Sequence, residues 1–173
     1  DPPQLMYAPS GETIEGTLKD SLTNVETTGE FVANLVTLEL KDQMNESARH
    51  VSSNVDEMAL TGLETEPSQL VNPPRVKASP IHLECKYIRT VELLSNRDEY
   101  RNFVVFGEIV GVHIRDEVMT DGMVDLSKFK PIARLGYMDY SVTDNVFTMP
   151  FPDKGPKVER EERERAEKQE TAK

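Results

Sequence analysis

The sequence predicts a mainly β, antiparallel fold with helices at its periphery, and three observations carry that prediction. Apolar and polar residues alternate over Ile81–Tyr87, which is the period of a strand with one exposed face. A second and longer apolar segment, Phe103–Ile114, follows after a turn-forming stretch. Gly107 and Gly111 lie inside that segment, and glycines within a strand are typical of bulges, barrel bends or close approach of a ligand. Two long strands of this kind, joined by a turn, indicate a small antiparallel barrel rather than a parallel sheet.

Shorter elements are predicted before this hairpin. A strand is expected at Leu5–Tyr7, between two prolines. Apolar residues at i, i+4 and i+7 predict a helix over residues 17–28, and Gly29 is a natural stop for it. Phe31–Val36 is nearly all apolar, which predicts a strand buried on both faces. Leu38–Ala48 has the pattern of a second short helix.

The remaining segments have weaker patterns. Residues 49–80 lack strong periodicity and contain four prolines, so we predict a long wrapped loop with a short helix near Val55–Thr61. Ile132–Tyr140 is another apolar segment. Residues 153–173 are dense in charge and contain no aromatic residue, which is typical of a solvated helix or of a disordered tail. The chain is therefore divided into one domain, residues 1–152, and this charged tail.

Charge and composition exclude several classes of protein. The 173-residue chain has a net charge of −11, and the tail contains seven basic and seven acidic residues, so the domain carries the whole excess. A domain this acidic is a poor match for nucleic acid or for an anionic membrane, which both attract basic surfaces. No apolar run approaches the ~18 residues of a membrane-spanning helix. We expect a soluble protein of a reducing, cytoplasmic compartment.

Cysteine and histidine usage argues against a metal site. A single cysteine, Cys85, cannot form a disulfide framework within the chain or a cysteine-based zinc site. The three histidines are scattered and lack the spacing of metal ligands. Cys85 falls on the apolar side of its strand, so we predict a buried and unreactive thiol. His82 and Glu84 fall on the opposite side, which is expected to be exposed, and His50 falls in a loop.

The first candidate site is the start of the predicted helix, at Leu18–Asn24. The first amides of a helix lack internal partners and favour an anion. Lys19 in this turn opposes the helix dipole unless an anion such as a phosphate lies beside it. Ser10, Thr17 and Ser21 would add hydroxyl donors. The alternative is an ordinary capped helix with a solvated lysine.

Two further candidates lie later in the chain. His113 falls near the end of the most apolar strand, close to Gly111, where an imidazole could contact a flat ring and exchange a proton. The alternative is a histidine that is satisfied by the backbone or by a dimer contact. Arg134, two residues before Gly136, could reach a phosphate or a carboxylate, and Tyr137 or Tyr140 could stack on an aromatic ligand. The alternative is a surface arginine beside packing tyrosines.

Several short stretches, taken together and in this order, carry a resemblance to a known family. They are Lys19–Asn24, Thr28–Asn34, Met44–Ser47, Gly62–Leu63, Pro67–Ser68, Pro73–Val76, Ser79–Cys85, Gly107–Ile114 and Ala133–Gly136 with Tyr140. Over residues 1 to about 150 the chain resembles the flavin reductase-like, FMN-binding split-barrel family. The charged tail lies outside the resemblance.

The resemblance implies a six-stranded antiparallel split barrel that works as a homodimer, with FMN in a groove at the subunit interface. It implies a group of cofactor-binding residues near the FMN phosphate: Ser10, Lys19, Asp20, Ser21 and Asn24. It places His113 near the isoalloxazine or the nicotinamide, as the catalytic candidate. It places Arg134 and Gly136 near the flavin.

The activity implied by the resemblance is NAD(P)H-dependent reduction of flavin, often in the service of an oxygenase partner. NADH or NADPH would be the co-substrate, and hydride would pass from nicotinamide to flavin while the protein orients the two rings. Two alternatives stay open. One is a non-catalytic flavin-binding or interaction module on the same barrel, and the other is a structural partner with an acidic surface.

The resemblance also bears on the start of the chain. In the family, two further barrel strands precede the stretch that corresponds to Asp1–Pro3, and they supply part of the flavin contacts. We therefore expect the barrel to be N-terminally incomplete in this chain. A barrel without those strands exposes sheet edges, so we expect another segment, another chain or a swapped dimer to complete it.

Overall fold

The computed structural model describes residues 1–9, 18–96, 101–149 and 155. In this part of the chain the strands and α-helices follow one another in this order: β1 Gln4–Tyr7, α1 Asp20–Thr28, β2 Glu30–Asn34, α2 Lys41–Ser47, α3 Glu57–Thr61, β3 Thr65–Glu66, β4 Arg75–Val76, β5 Ile81–Leu93, β6 Asn102–Ile114, β7 Met119–Thr120, β8 Met123–Val124, β9 Ile132–Gly136 and β10 Asp139–Val142. A four-stranded antiparallel sheet in the order β1-β6-β5-β2 forms the centre. The mainly β, antiparallel prediction is confirmed.

Helix α1 packs its apolar face onto the sheet. Leu22 and Val25 are each only 2% exposed and form the core together with Phe103 and Val105 of β6. The helix ends where predicted, because Gly29 adopts a left-handed φ of 73° and donates from its N–H to Val25 O at 2.9 Å. Burial of each of these two helical side chains stabilises the fold by about 1.5–3 kcal/mol, which fixes α1 against β6.

Strand β2 differs from its prediction. Residues 31–36 were expected to be buried on both faces, but β2 is half-buried along its whole length. Among the residues that the structure describes, it is an outer strand of the sheet and pairs only with β5. Here a run of apolar residues forms a strand at the border of the core rather than at its centre.

The β5–β6 hairpin is confirmed, but the exposed face predicted for β5 is wrong. His82 is 2% exposed and Glu84 is 0% exposed. The ladder is irregular between Glu84 and Cys85, so that these neighbours are both buried instead of alternating. The segment between α3 and β5 also covers this side of the strand, since His82 Nε2 lies 2.9 Å from the carbonyl oxygen of Val76. Neither effect is visible in a pattern of period two.

The glycines of β6 mark close approaches by other side chains of the protein, whereas the prediction named bulges, bends or a ligand. A Cβ atom at Gly107 would overlap the Phe31 ring of β2. A Cβ atom at Gly111 would lie 3.1 Å from Leu70 Cδ1. Both positions therefore let other parts of the chain lie directly on the strand.

The predicted second helix begins as a 3-10 turn at Leu38–Leu40 and continues as α2. The predicted apolar segment at 132–140 forms the β9–β10 hairpin, and Tyr137 occupies its tip with a φ of 48°. This hairpin joins the body of the protein through Ile132 N, which donates to Val36 O at 3.1 Å. Residues 153–154 and 156–173 of the charged tail lie outside the described residues. Among the helices that the structure describes, none is long and apolar enough to cross a membrane.

Candidate functional site

A groove of about 540 Å³ runs between the first turn of α1 and the segment that follows α2. We call it the polar groove. Its walls are Ala8, Pro9, Lys19, Asp20, Ser21, Asn24, Ser47, Ala48, Arg49, His50, Val51, Glu57 and Met58. The structure therefore brings together four of the five residues predicted to lie near a phosphate, namely Lys19, Asp20, Ser21 and Asn24. The fifth, Ser10, lies outside the described residues.

The start of α1 presents donors to the polar groove. The first bond within the helix runs from Leu22 N to Lys19 O at 2.9 Å, so the preceding amides, those of Asp20 and Ser21, have no partner inside the helix. No side chain of the described residues caps this end. Lys19 Nζ lies 3.4 Å from His50 Nδ1, and since an ammonium group only donates, that ring nitrogen is the acceptor. This end of the groove suits an anion.

Asp20 also holds one wall of the groove in place. Its Oδ1 accepts a hydrogen bond from Ser53 Oγ at 2.8 Å, which ties the segment after α2 to the start of α1. The assignment of Asp20 to a cofactor stays a prediction. Arg49 and His50 also line the groove, and sequence reasoning missed both as site residues. Their closeness to Lys19 arises from the fold, and no spacing in the sequence signals it.

An apolar cavity of about 670 Å³ adjoins the polar groove. Its walls come from β1, α1, β2 and two prolines: Leu5, Tyr7, Ser21, Asn24, Val25, Thr28, Glu30, Phe31, Val32, Ala33, Asn34, Met58, Pro73 and Pro74. Ser21, Asn24 and Met58 belong to both cavities. A polar space and an apolar space therefore meet at the same face of α1.

Tyr7 helps to shape the apolar cavity. Its ring lies edge-on to the Phe31 ring, with the centroids 5.2 Å apart. Its hydroxyl donates to Ser21 O at 3.0 Å. Burial, with the negative charge of Glu26 and the neighbouring Tyr87, raises the pKa of Tyr7 to about 12, so the phenol stays protonated and acts as a fixed donor.

His113 lies in a different place from the polar groove. It lines a cavity of about 310 Å³ together with Glu66, Arg75, His82, Val112, Ile114 and Arg115. Its Nε2 is 2.6 Å from Oε1 of Glu84, and the two side chains are 18% and 0% exposed. We call these two residues, with the backbone amides of Gln69 and Leu70 that donate to Glu84, the Glu84–His113 cluster. Within this chain the predicted catalytic residue and the predicted phosphate ligands thus line separate cavities.

Two other reactive side chains of this region have structural roles. His82 is buried, and its Nε2 donates to the carbonyl oxygen of Val76. Burial lowers the pKa of His82, so its ring is neutral. Burial raises the pKa of Cys85 to about 11, which keeps it a thiol and agrees with the prediction of an unreactive side chain.

Arg134 and Gly136 lie on the β9–β10 hairpin and line neither the polar groove nor the apolar cavity. The guanidinium of Arg134 donates to Tyr137 O at 2.9 Å and lies 6.0 Å from the centroid of the Tyr140 ring. Their assignment to a flavin stays a prediction. No group of three or more potential metal ligands occurs in the part of the chain that the structure describes.

Comparison with known sequences relates the chain to a family. The family model of the flavin reductase like domain matches residues 1–137. An uncharacterized protein of Aquifex aeolicus is 34% identical over 137 residues, which are 79% of this chain and 66% of that protein. An uncharacterized protein of Deinococcus radiodurans is 32% identical over 139 residues, which are 79% of this chain and 58% of that protein. The chain thus spans about three fifths of the length of these curated relatives.

Solved structures agree in fold. Component B of nitrilotriacetate monooxygenase from Bacillus cereus has a TM-score of 0.76 and 26% identity, over 86% of this chain and 72% of that one. A Shewanella frigidimarina protein with a split barrel domain has a TM-score of 0.68 and 24% identity, over 87% of this chain and 71% of that one. The split-barrel fold expected from the resemblance is confirmed. With its family model covering residues 1–137, the chain belongs to the flavin reductase-like domain family.

Proposed function

We propose that this chain binds FMN, with the phosphate in the polar groove and the tricyclic ring toward the apolar cavity. The observation that carries the proposal is the meeting of these two spaces at one face of α1, where Ser21 and Asn24 line both. FMN has the same division, since a doubly charged phosphate and a flat apolar ring lie at its opposite ends. The residues present fit the group.

The protein's own part is to bind and to orient. Lys19, with the amides of Asp20 and Ser21 that have no partner inside the helix, would hold the phosphate by charge-assisted hydrogen bonds. The walls supplied by Tyr7, Phe31 and Val25 would exclude water from the ring. Bound flavin would supply the redox chemistry.

We further propose that the whole protein is an oxidoreductase of the NAD(P)H-dependent flavin reductase type. Membership of the flavin reductase-like family supports this activity. The structural relative named as component B of a monooxygenase supports an oxygenase as the recipient of reduced flavin. The alternative, a flavin-binding module without catalysis, is favoured by one observation, namely the separation of His113 from the polar groove within a protomer.

We propose that a homodimer resolves this separation by bringing the His113 cavity of one protomer to the polar groove of the other. The surface supports association, because Tyr137 and Met138 at the tip of the β9–β10 hairpin are 95% and 92% exposed. β1 and β2 are also outer strands of the sheet, and a segment or chain that pairs with them would complete the barrel.

Binding of FMN is tested by titration, followed by flavin fluorescence. Replacement of Lys19 by alanine should weaken FMN binding by roughly 1–3 kcal/mol if its ammonium contacts the phosphate. Lys77→Ala is the matched control, since Lys77 is paired with Glu64 and lines neither cavity. An unchanged dissociation constant for Lys19→Ala would remove this lysine from the site. Oxidation of NADH or NADPH with FMN present then separates the enzyme from the non-catalytic module.

Assembly of the site across two protomers is tested with mixed dimers. One chain carries Lys19→Ala and the other carries His113→Ala. If the groove of one protomer works with the histidine of its partner, the mixed dimer keeps one intact site and about half of the activity. If each site belongs to one protomer, both sites of the mixed dimer are damaged and its activity is no higher than that of the two parent variants.

A further inference from the structure

Glu84 is a completely enclosed carboxylate in the middle of the central sheet. Opposite it in the ladder stands Gly111, where a Cβ atom would lie 3.1 Å from Leu70 Cδ1 and 3.5 Å from Glu84 Cβ. The missing side chain at Gly111 leaves the space in which Leu70 approaches the strand. Because an enclosed charge without partners is strongly unfavourable, the groups around Glu84 must hold it.

Three nitrogen atoms converge on this carboxylate. The Gln69 amide donates to Oε1 at 2.9 Å, and the Leu70 amide donates to Oε2 at 2.6 Å. The third is Nε2 of His113, 2.6 Å from Oε1; it is a close approach rather than a well-aligned hydrogen bond, since Nε2 does not meet the angular criterion for one. Two of the three belong to the segment between β3 and β4, and the third belongs to β6. One side chain therefore ties a covering segment and an imidazole to the same point of β5.

The negative charge of Glu84 determines which ring nitrogen of His113 carries a proton. Burial by itself would raise the pKa of Glu84, but the Gln69 and Leu70 amides and the adjacent His113 together hold it below its usual range. An ionised carboxylate only accepts hydrogen bonds. The nitrogen that faces it must then carry a proton, which leaves Nδ1 of His113 as the nitrogen free for other partners. The other ionisable groups around this ring are His82, at 6.4 Å between ring centroids, and the side chains that line the cavity: Glu66, Arg75 and Arg115.

We propose that Glu84 is a positioning residue, which fixes the orientation and tautomer of the His113 imidazole and locks the Gln69–Leu70 backbone over the strand. The inference rests on the proposed function only in giving His113 a role beside the flavin or the nicotinamide. Neither the sequence pattern, which placed Glu84 on an exposed face, nor the family assignment ascribes this task to it.

The first test is nitrogen-15 NMR of the full chain labelled at histidine, at a pH well above the ordinary histidine pKa of about 6.5. The chemical shifts of the two ring nitrogens report which one carries the proton, and His113→Gln assigns the signals. The expected result is a single tautomer with the proton on Nε2. His82 is an internal reference, because its Nε2 donates to Val76 O. A proton on Nδ1, or a mixture of tautomers, would overturn the proposal without any variant of Glu84.

The second test compares Glu84→Gln with a matched control, Glu30→Gln. Glu30 anchors the same covering segment, accepting from the Asn72 backbone and side chain at 2.8 Å each, but has no contact with His113. Glu84→Gln should abolish the single tautomer and speed amide exchange at Gln69 and Leu70 at least 10-fold. Glu30→Gln should free the Asn72 amide and leave the tautomer unchanged. Equal effects of the two variants on the ring signals would refute the assignment.

These readouts separate the inference from the proposed function. The NMR measurement and the comparison of variants are both made without flavin or nicotinamide, so a chain that never binds FMN can still show the fixed tautomer. Conversely, FMN binding with a mixed His113 tautomer would keep the proposed function and remove the role of Glu84. If Glu84→Gln does not fold, the tautomer of His113 in the wild-type chain still tests the proposed role of Glu84.

Discussion

The polar groove and the Glu84–His113 cluster are two concentrations of charged groups with opposite constructions. In the groove, Lys19 and His50 lie at the surface, and the first amides of α1 have no partner within the helix. In the cluster, the carboxylate is enclosed and each of its oxygens accepts from a backbone amide. The groove presents donors that the helix itself does not use, and a ligand could accept from them. In the cluster both oxygens of the carboxylate are satisfied by backbone amides, which suits the fixing of one conformation.

The difference predicts that the cluster matters most for stability. Glu84→Ala leaves the Gln69 and Leu70 amides without their acceptor, so we expect a loss of about 3–5 kcal/mol in the free energy of unfolding. Lys19→Ala at the groove should change it by no more than about 0.5 kcal/mol, as is usual for surface substitutions. Urea unfolding followed by circular dichroism measures both. A Lys19→Ala loss as large as that of Glu84→Ala would show that the groove is part of the structural core.

Acid should loosen the segment held by Glu30 and Glu84 before it affects the α1 core. The hydrogen bonds from Lys86 and Asn72 lower the pKa of Glu30 to about 2, and the pKa of Glu84 is also lowered. A carboxyl group whose pKa is lower in the folded state stabilises the fold above its unfolded pKa, near 4.5, and this stabilisation is lost as the pH falls toward 2. The protection factor of the Asn72 amide, which is its exchange rate relative to the intrinsic rate at the same pH, should therefore fall over this range. In Glu30→Gln the protection factor should be low already at neutral pH and change little with acid.

The smallest effect is expected from His50, at the exposed end of the groove. Its ring accepts from Lys19 Nζ at 3.4 Å, a long contact between exposed side chains. His50→Ala should weaken FMN binding by only about 0.5–1 kcal/mol, and less at high salt. The same fluorescence titration measures it. A loss larger than that of Lys19→Ala would make His50 the principal phosphate ligand.

Sequence reasoning worked where the determinants are local. The spacing of Leu22 and Val25 predicted α1, and Gly29 predicted its end, because both depend on neighbours within one or two turns. Lys19 was singled out by its position relative to the helix dipole. Arg49 and His50 escaped notice because a long connection brings them to the start of α1, and no local pattern records that approach.

Sequence reasoning wrongly predicted that Glu84 and His82 are exposed. Alternation predicts which side chains share a face, but it does not say which face is covered. The irregular ladder at Glu84–Cys85 and the covering segment before β5 buried both sides of the strand. The result was a carboxylate in the core, which only its three nitrogen neighbours make tolerable.

Local chemistry thus specified the antiparallel hairpin, the helix with its amino-terminal lysine and the membership of a split-barrel family. Long-range packing specified that polar and apolar spaces meet at α1, that His113 lies apart from them, and that Glu84 is enclosed. The physical reason is the distance along the chain over which each effect acts. Periodicity, capping and turn preferences act over a few residues, whereas a cavity or a buried charge depends on segments that meet only after the sheet has formed.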